Sequence, residues 1–255
     1  MSSLPPSLSA PLRAAPSPAA PDTSAERARD RAFLWRHGLV VPLLLAAAAT
    51  AFGHSGADLR VSGWFYDGGT AHFVVGGNGW IELIGHRLAK SLLLAGWLML
   101  AAAALASNWL PSLRPHRRLL WTTWAAMGLG PTLVTLLKDI NTHACPWDLT
   151  EFGGNAPYSA RWFVSRIEAG RCFPGGHASA GCALIALAFA GRASRRPALQ
   201  RAGVLLAVFV GGLFGVVRLT QGAHFMSHNL WAAAIDWWCA AALFLPLLWH
   251  RRTTL

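Results

Sequence analysis

Six stretches of this chain are apolar over lengths that match, or nearly match, the thickness of a bilayer: residues 33–52, 91–110, 119–137, 178–190 with its flanks, 203–217 and 229–249. A membrane-spanning helix needs about 20 mostly apolar residues. The fourth and fifth stretches are short when counted strictly, so polar residues at their ends must belong to the spans. A large soluble helical protein would carry charged faces at helical spacing, and these segments lack them. Composition agrees: of 255 residues, 54% are hydrophobic, only 13% are charged, and 13 are tryptophan. That is the profile of a membrane protein. The expected fold is all-α, a polytopic membrane protein with six transmembrane helices.

Charge sets the expected orientation. Segments 1–37, 111–118, 192–201 and 250–255 hold about 14 Lys/Arg against three acids, the cytoplasmic pattern under the positive-inside rule. The opposite face, residues 54–90, 138–177 and 218–228, holds about eight basic and seven acidic residues, so both termini are expected in the cytoplasm. Runs such as "RPHRR" and "RASRRPALQR" then act as membrane-surface anchors. The net charge of +11 needs no nucleic-acid partner; membrane lipids suffice. Residues 1–30, rich in Pro, Ala and Ser, read as a disordered cytoplasmic tail, and 31–255 as the six-helix domain. With no early apolar core there is no cleavable signal peptide, and the first span serves as an uncleaved anchor. Between spans one and two, "VSGWFYDGG" supplies interfacial aromatics. The segment 77–90 reads as a short amphipathic helix on the outer surface.

The ionisable residues at the span ends are not scattered. Lys138 ends span three, His177 opens span four, Arg218 ends span five, and His224 and His228 stand at the start of span six. All fall on the outer leaflet, where ionisable groups are costly and mark a site. Lys138 and Arg218 are cations that can hold an anion with several oxygens. Gly175 and Gly176 lead into a helix N-terminus, where backbone N–H groups can cradle a phosphate. His177 and His224 can serve as proton donor and nucleophile near neutral pH. Two cations, a glycine turn and two histidines suit phosphoryl transfer, which needs little beyond positioning and charge stabilisation.

These residues resemble the three motifs of the type 2 phosphatidic acid phosphatase superfamily, in its integral membrane lipid phosphatase branch. The family patterns are Lys-x6-Arg-Pro, Pro-Ser-Gly-His and Ser-Arg-x5-His-x3-Asp. Here they read "KDINTHACP" at 138–146, "PGGH" at 174–177 and "VRLTQGAHFMSH" at 217–228. The resemblance implies that His224 is the nucleophile forming a phosphohistidine and that His177 protonates the leaving oxygen. It implies that Lys138, Arg218 and the Gly175–Gly176 turn clamp the phosphate. It implies no metal and no cofactor, and the histidines lack the Cys/Asp/Glu clustering of a zinc site. The expected substrate partner is a phosphorylated lipid at the periplasmic face of a bacterial inner membrane. Two other readings share the pattern: a phosphotransferase passing the group to a lipid or sugar hydroxyl, and a non-catalytic phospholipid-binding or transport protein.

Three departures from the family matter. Gly175 replaces a serine, Cys145 an arginine, and His228 the aspartate that orients the nucleophile. Neutral His228 is expected to accept a hydrogen bond from His224. Asp139, Asp148, Glu151 and Glu168 lie on the outer side as other candidates. Asp236 lies about 18 Å further along span six, too far to substitute. Arg171 is expected to supply the missing clamp cation, with Arg161 and Arg166 competing for the role. Cys145 and Cys172 are the two cysteines of the outer loops. In an oxidising compartment they are expected to pair and to draw the first motif, with Arg171, against the second.

Overall fold

The computed structural model describes residues 24–76, 89–164 and 170–249. Residues 1–23, nearly all of the segment expected to be amphipathic, and the candidates Arg166 and Glu168 lie outside the described residues.

The protein is mostly helical, with one two-residue hairpin pairing Tyr66 with Phe73 and Asp67 with His72. Helix α1 (Ser24–Trp35) runs through a π-helical turn (Arg36–Val40) into α2 (Val41–His54). The wider turn comes just ahead of Pro42, whose missing N–H breaks the α-helical register. Helix formation thus starts at Ser24, inside the segment read as a tail. There the buried Asp30 accepts a 2.5 Å hydrogen bond from Arg192 Nε, tying this end to the end of the fourth apolar stretch. A short α3 (Ala57–Gly63) and the hairpin β1 (Tyr66–Asp67) and β2 (His72–Phe73) follow. Then come α4 (Ala89–Ala106), α5 (Arg117–Asp139), α6 (Gly176–Cys182), α7 (Ile185–Ala193), α8 (Pro197–Thr220) and α9 (Met226–Trp249).

All six apolar stretches are helical, but among the described residues four rods are long and apolar enough to cross a membrane: Ser24–His54, Arg114–Asp139, Pro197–Thr220 and Met226–Trp249. Lys90–Ala106 is apolar but shorter. The fourth stretch is not one rod. It breaks between α6 and α7, where Leu184 donates to Gly181 and Ala186 to Ala183, closing tighter i→i+3 turns. Four of the six expected spans are therefore present as membrane-length rods among the described residues.

The packing is that of a membrane protein. Leu44, Leu92, Met99, Leu205, Val208 and Phe209 are exposed on the rods, while small residues line the helix crossings. A Cβ on Gly181 would lie 2.5 Å from the Gly211 backbone, and one on Gly203 would strike the backbone of Ala188. Helices α6–α7 and α8 thus touch backbone to backbone, the contact that drives association where lipid removes the hydrophobic incentive. The central rod, α9, packs against α2, α5, α6 and α7. Toward the C-terminal end of α9, Phe189 lies between Phe33, which it meets edge to face, and Phe244, with centroids 5.0 and 5.7 Å away. On the flank, Trp97 of α4 stacks on Trp124 of α5 and donates its indole N–H to the Trp124 carbonyl at 3.0 Å.

A second cluster (Phe73, Leu149, Phe152 and Phe225) closes the other end, where the long loops lie. Gly222, in the left-handed region at φ 70°, lets the Phe73 ring lie where a side chain would stand. Because successive rods reverse direction, the C-termini of α5 and α8 and the N-termini of α6 and α9 meet under this cap.

Candidate active site

The loop between α5 and α6 is folded back on itself. Cys145 and Cys172 are joined by a disulfide, their Cα atoms 5.2 Å apart. Beside it Cys172 N–H donates to the His143 carbonyl at 3.1 Å, and Trp147 N–H to the Gly222 carbonyl at 3.1 Å. The end of the first motif is thus fixed against the start of the second and the approach to the third.

The glycine turn is fixed in the same way. Gly175 N–H donates to the His228 carbonyl at 3.0 Å, so this amide is engaged and the expected cradle begins at Gly176. A Cβ on Gly175 would lie 2.5 Å from Asn229 Oδ1 and 3.2 Å from the His228 carbonyl. Asn229, held by a 3.2 Å bond from its Nδ2 to the Gly215 carbonyl, thus occupies the space that a serine at 175 would need. Sequence reasoning passed over Asn229, although a polar amide opening an apolar span is itself a signal.

Lys138, at the last turn of α5, reaches this turn: its Nζ lies 3.8 Å from where a Gly176 Cβ would stand. Arg218, at the last turn of α8, donates through Nη1 to Gln221 Oε1 at 2.8 Å, with its guanidinium 5.9 Å from the Trp147 ring centroid. Arg171, expected as a third clamp cation, is itself paired. It is exposed and forms an ion pair with Asp139. Arg161 contributes its backbone carbonyl, which accepts from His143 Nε2.

Four imidazoles form a file through the site. Ring centroids are 6.4 Å apart for His177–His224, 6.0 Å for His224–His228 and 5.6 Å for His228–His143. His143, His224 and His228 are buried. Burial first, then the charges of Lys138, His228, Arg218 and His177, hold His224 well below the usual imidazole pKa, so it is neutral at pH 7. Its Nδ1 is sealed inside without a hydrogen-bond partner among the described residues. The expected His224–His228 hydrogen bond is not made: the rings meet at 67°, and His228 Nδ1 also lacks a partner. Sequence reasoning missed His143, whose only signal was its place inside the first motif.

Among the described residues, the outer-face acids offered as substitutes for the motif aspartate have other partners. Asp139 pairs with Arg171, Asp148 accepts from Cys145 N–H at 3.2 Å, and Glu151 accepts from the Thr150 hydroxyl at 3.1 Å. Asp236 accepts from Ser179 Oγ at 3.2 Å and lies against the Gly130 backbone, inside the bundle. The acid that does reach the site's foundations is Asp58. It accepts from Ser227 N–H at 3.0 Å, from the Ser227 hydroxyl, and from Tyr158 at 3.4 Å. It thereby caps α9 at its positive end. Burial pushes its carboxyl above the usual range, and burial with Asp58 alongside pushes the Tyr158 hydroxyl up.

Cys172 Sγ and a nitrogen from each of His224 and His228 lie within 4.8 Å of one another. Cys172 is in the disulfide, however, and offers no thiolate to a metal.

A family model described as the PAP2 superfamily matches residues 119–252, more than half of the chain and all three motifs. Neither a curated protein nor a solved structure matches it.

Proposed function

Because the chain belongs to the PAP2 superfamily and so to a family of phosphatases, we propose that it is a metal-independent membrane lipid phosphatase acting through a phosphohistidine. The observation that carries this reading is His224: buried, held uncharged, and set among Lys138, Arg218 and His177. A neutral imidazole presents the lone pair that a nucleophile needs. Lys138 and Arg218 balance the charge on the transferring group, and the first-turn amides of α6 add to that. The gap between the His224 and His177 rings, 6.4 Å between centroids, suits a phosphoryl group in line between nucleophile and acid. Nε2 attacks phosphorus as His177 protonates the leaving oxygen. Water, deprotonated by His177, then releases phosphate.

All six apolar stretches cross the bilayer in this reading, the fourth as the broken α6–α7 pair and Lys90–Ala106 as a short span. Both termini face the cytoplasm and the site faces the periplasm of a bacterial inner membrane. The charge asymmetry supports that orientation. The disulfide supports it too, since such bonds persist in oxidising compartments. At this level a lipid presents its phosphate to the histidines while its tails stay in the bilayer.

The test offers purified protein, with a chelator present, four lipids: phosphatidic acid, phosphatidylglycerophosphate, a polyprenyl pyrophosphate and lipid A. Phosphate release from at least one, and none with His224→Ala, is the expected result. A strict need for a divalent ion, or no release from any of them, overturns the reading.

A further inference from the structure

The position that departs furthest from the family chemistry is His228, and behind it stands a residue that no motif assigns. His143 donates from Nε2 to the Arg161 carbonyl, and a carbonyl can only accept, so the ring is fixed with its proton on Nε2. Its centroid lies 5.6 Å from that of His228, with the rings nearly perpendicular at 84°. Phe173 packs against both, at 5.1 and 5.2 Å. His228 has a backbone hydrogen bond with Cys172. Its Nδ1 is without a partner, so this bond uses Nε2–H and leaves the Nδ1 lone pair open. A nitrogen of His224 lies within 4.8 Å of one of His228.

We propose that His143 is a positioning residue for the phosphatase reaction, backing His228 so that the two imidazoles together replace the carboxylate that would otherwise take the nucleophile's second proton. The proposal rests on the phosphohistidine reading above. As His224 Nε2 forms the N–P bond, the P–O bond to the leaving group breaks and the leaving oxygen takes the His177 proton. The Nδ1 proton of His224 passes to Nδ1 of His228. When water attacks, the new P–O bond forms as the N–P bond breaks. The water proton goes to His177, and His228 returns its proton to His224. His143 steadies the transient imidazolium by presenting a ring whose Nε2 proton is tied to the Arg161 carbonyl. The other ionisable and charged groups around the file are Lys138, Arg218 and His177 on the substrate side, and His54, Arg161, Tyr158 and Asp58 behind His228.

The experiment is a double-mutant cycle read as kcat and KM separately. His143→Phe keeps an aromatic ring, and His143→Gln keeps an N–H for the Arg161 carbonyl. Both are expected to lower kcat about tenfold with KM unchanged, as for an interaction made only in the transition state. In the His228→Asp background the same changes are expected to cost less than about twofold, because a carboxylate needs no such support. His228→Asp is also expected to move the acid limb of kcat upward, since an anion beside His224 favours its charged form. Equal costs in both backgrounds, full activity of His143→Gln, or an acid limb unmoved by His228→Asp overturns the proposal. Absence of turnover by the unaltered protein sinks the phosphatase reading as well, whereas equal costs sink this inference alone.

Discussion

Gly175 donates its backbone N–H to the carbonyl of His228 at 3.0 Å, tying the turn that carries His177 to the helix that follows His224. The bond leaves no room for a side chain at 175. Restoring the family's serine is a test: Gly175→Ser should destabilise the protein by about 1–3 kcal/mol, the cost of overpacking, because its Cβ meets Asn229 Oδ1 at 2.5 Å. Adding Asn229→Ala should recover part of the loss. Thermal unfolding in detergent measures both, and an unchanged midpoint for the single variant contradicts the packing argument.

The state of His224 predicts a pH dependence with a definite sign. Its pKa is lowered from 6.5 by burial and the surrounding cations, so the folded protein leaves it unprotonated where the unfolded chain would protonate it. Its contribution to stability is therefore fully present above pH 6.5 and declines as pH falls below that value. Unfolding followed from pH 7.5 to 5 should show this decline, and His224→Gln should flatten it. The same variant should lose several orders of magnitude in turnover together with any acid-labile phosphoenzyme.

Asp58 reaches α9 across 169 positions of sequence to accept from Ser227. Asp58→Ala leaves the buried Ser227 N–H and the Ser227 hydroxyl without their acceptor, while Tyr158 keeps its 2.7 Å bond to the Gly53 carbonyl, and should cost about 1–3 kcal/mol. Asp58→Asn keeps an acceptor for the Ser227 amide and should cost less. Because α9 carries His228 and begins just past His224, the alanine variant should also lower kcat. A kcat equal to that of the natural protein would show that the cap and the site are independent.

The disulfide closes a separation of 27 residues, worth about 3–4 kcal/mol in the chain-entropy model. Cys145→Ser with Cys172→Ser should lower stability by about that much. It should also raise KM, since Lys138 and the glycine turn are held together through this loop. Identical unfolding curves with and without reductant would refute the claim.

The two arginines should separate cleanly. Arg218→Gln is expected to reduce kcat/KM by more than about a hundredfold, as for loss of a charge-assisted phosphate contact. Arg171→Gln, whose partner is already Asp139, should cost no more than a few-fold. Comparable losses would place Arg171 in the clamp beside Arg218.

Much of this protein was legible along the chain. Apolar length predicts helices at all six stretches, because a bilayer imposes a length and backbone hydrogen bonding imposes the helix. The three motifs name Lys138, His177, Arg218 and His224 because phosphoryl transfer demands those residue types, and alternating direction delivers them to one end. What only the tertiary structure decided was what stands beside each of them. No local pattern says that the fourth stretch breaks at Ala183 and Leu184, that Asp58 caps a helix far along the chain, or that Asn229 fills the space above Gly175. Nor does any pattern say that Asp139 engages Arg171 or that His143 joins the file behind His228. Periodicity and motif spacing report which residues share a face or an end. Hydrogen-bond partners and close approaches between distant segments depend on how the rods and loops pack, and that is fixed only when all of them are in place.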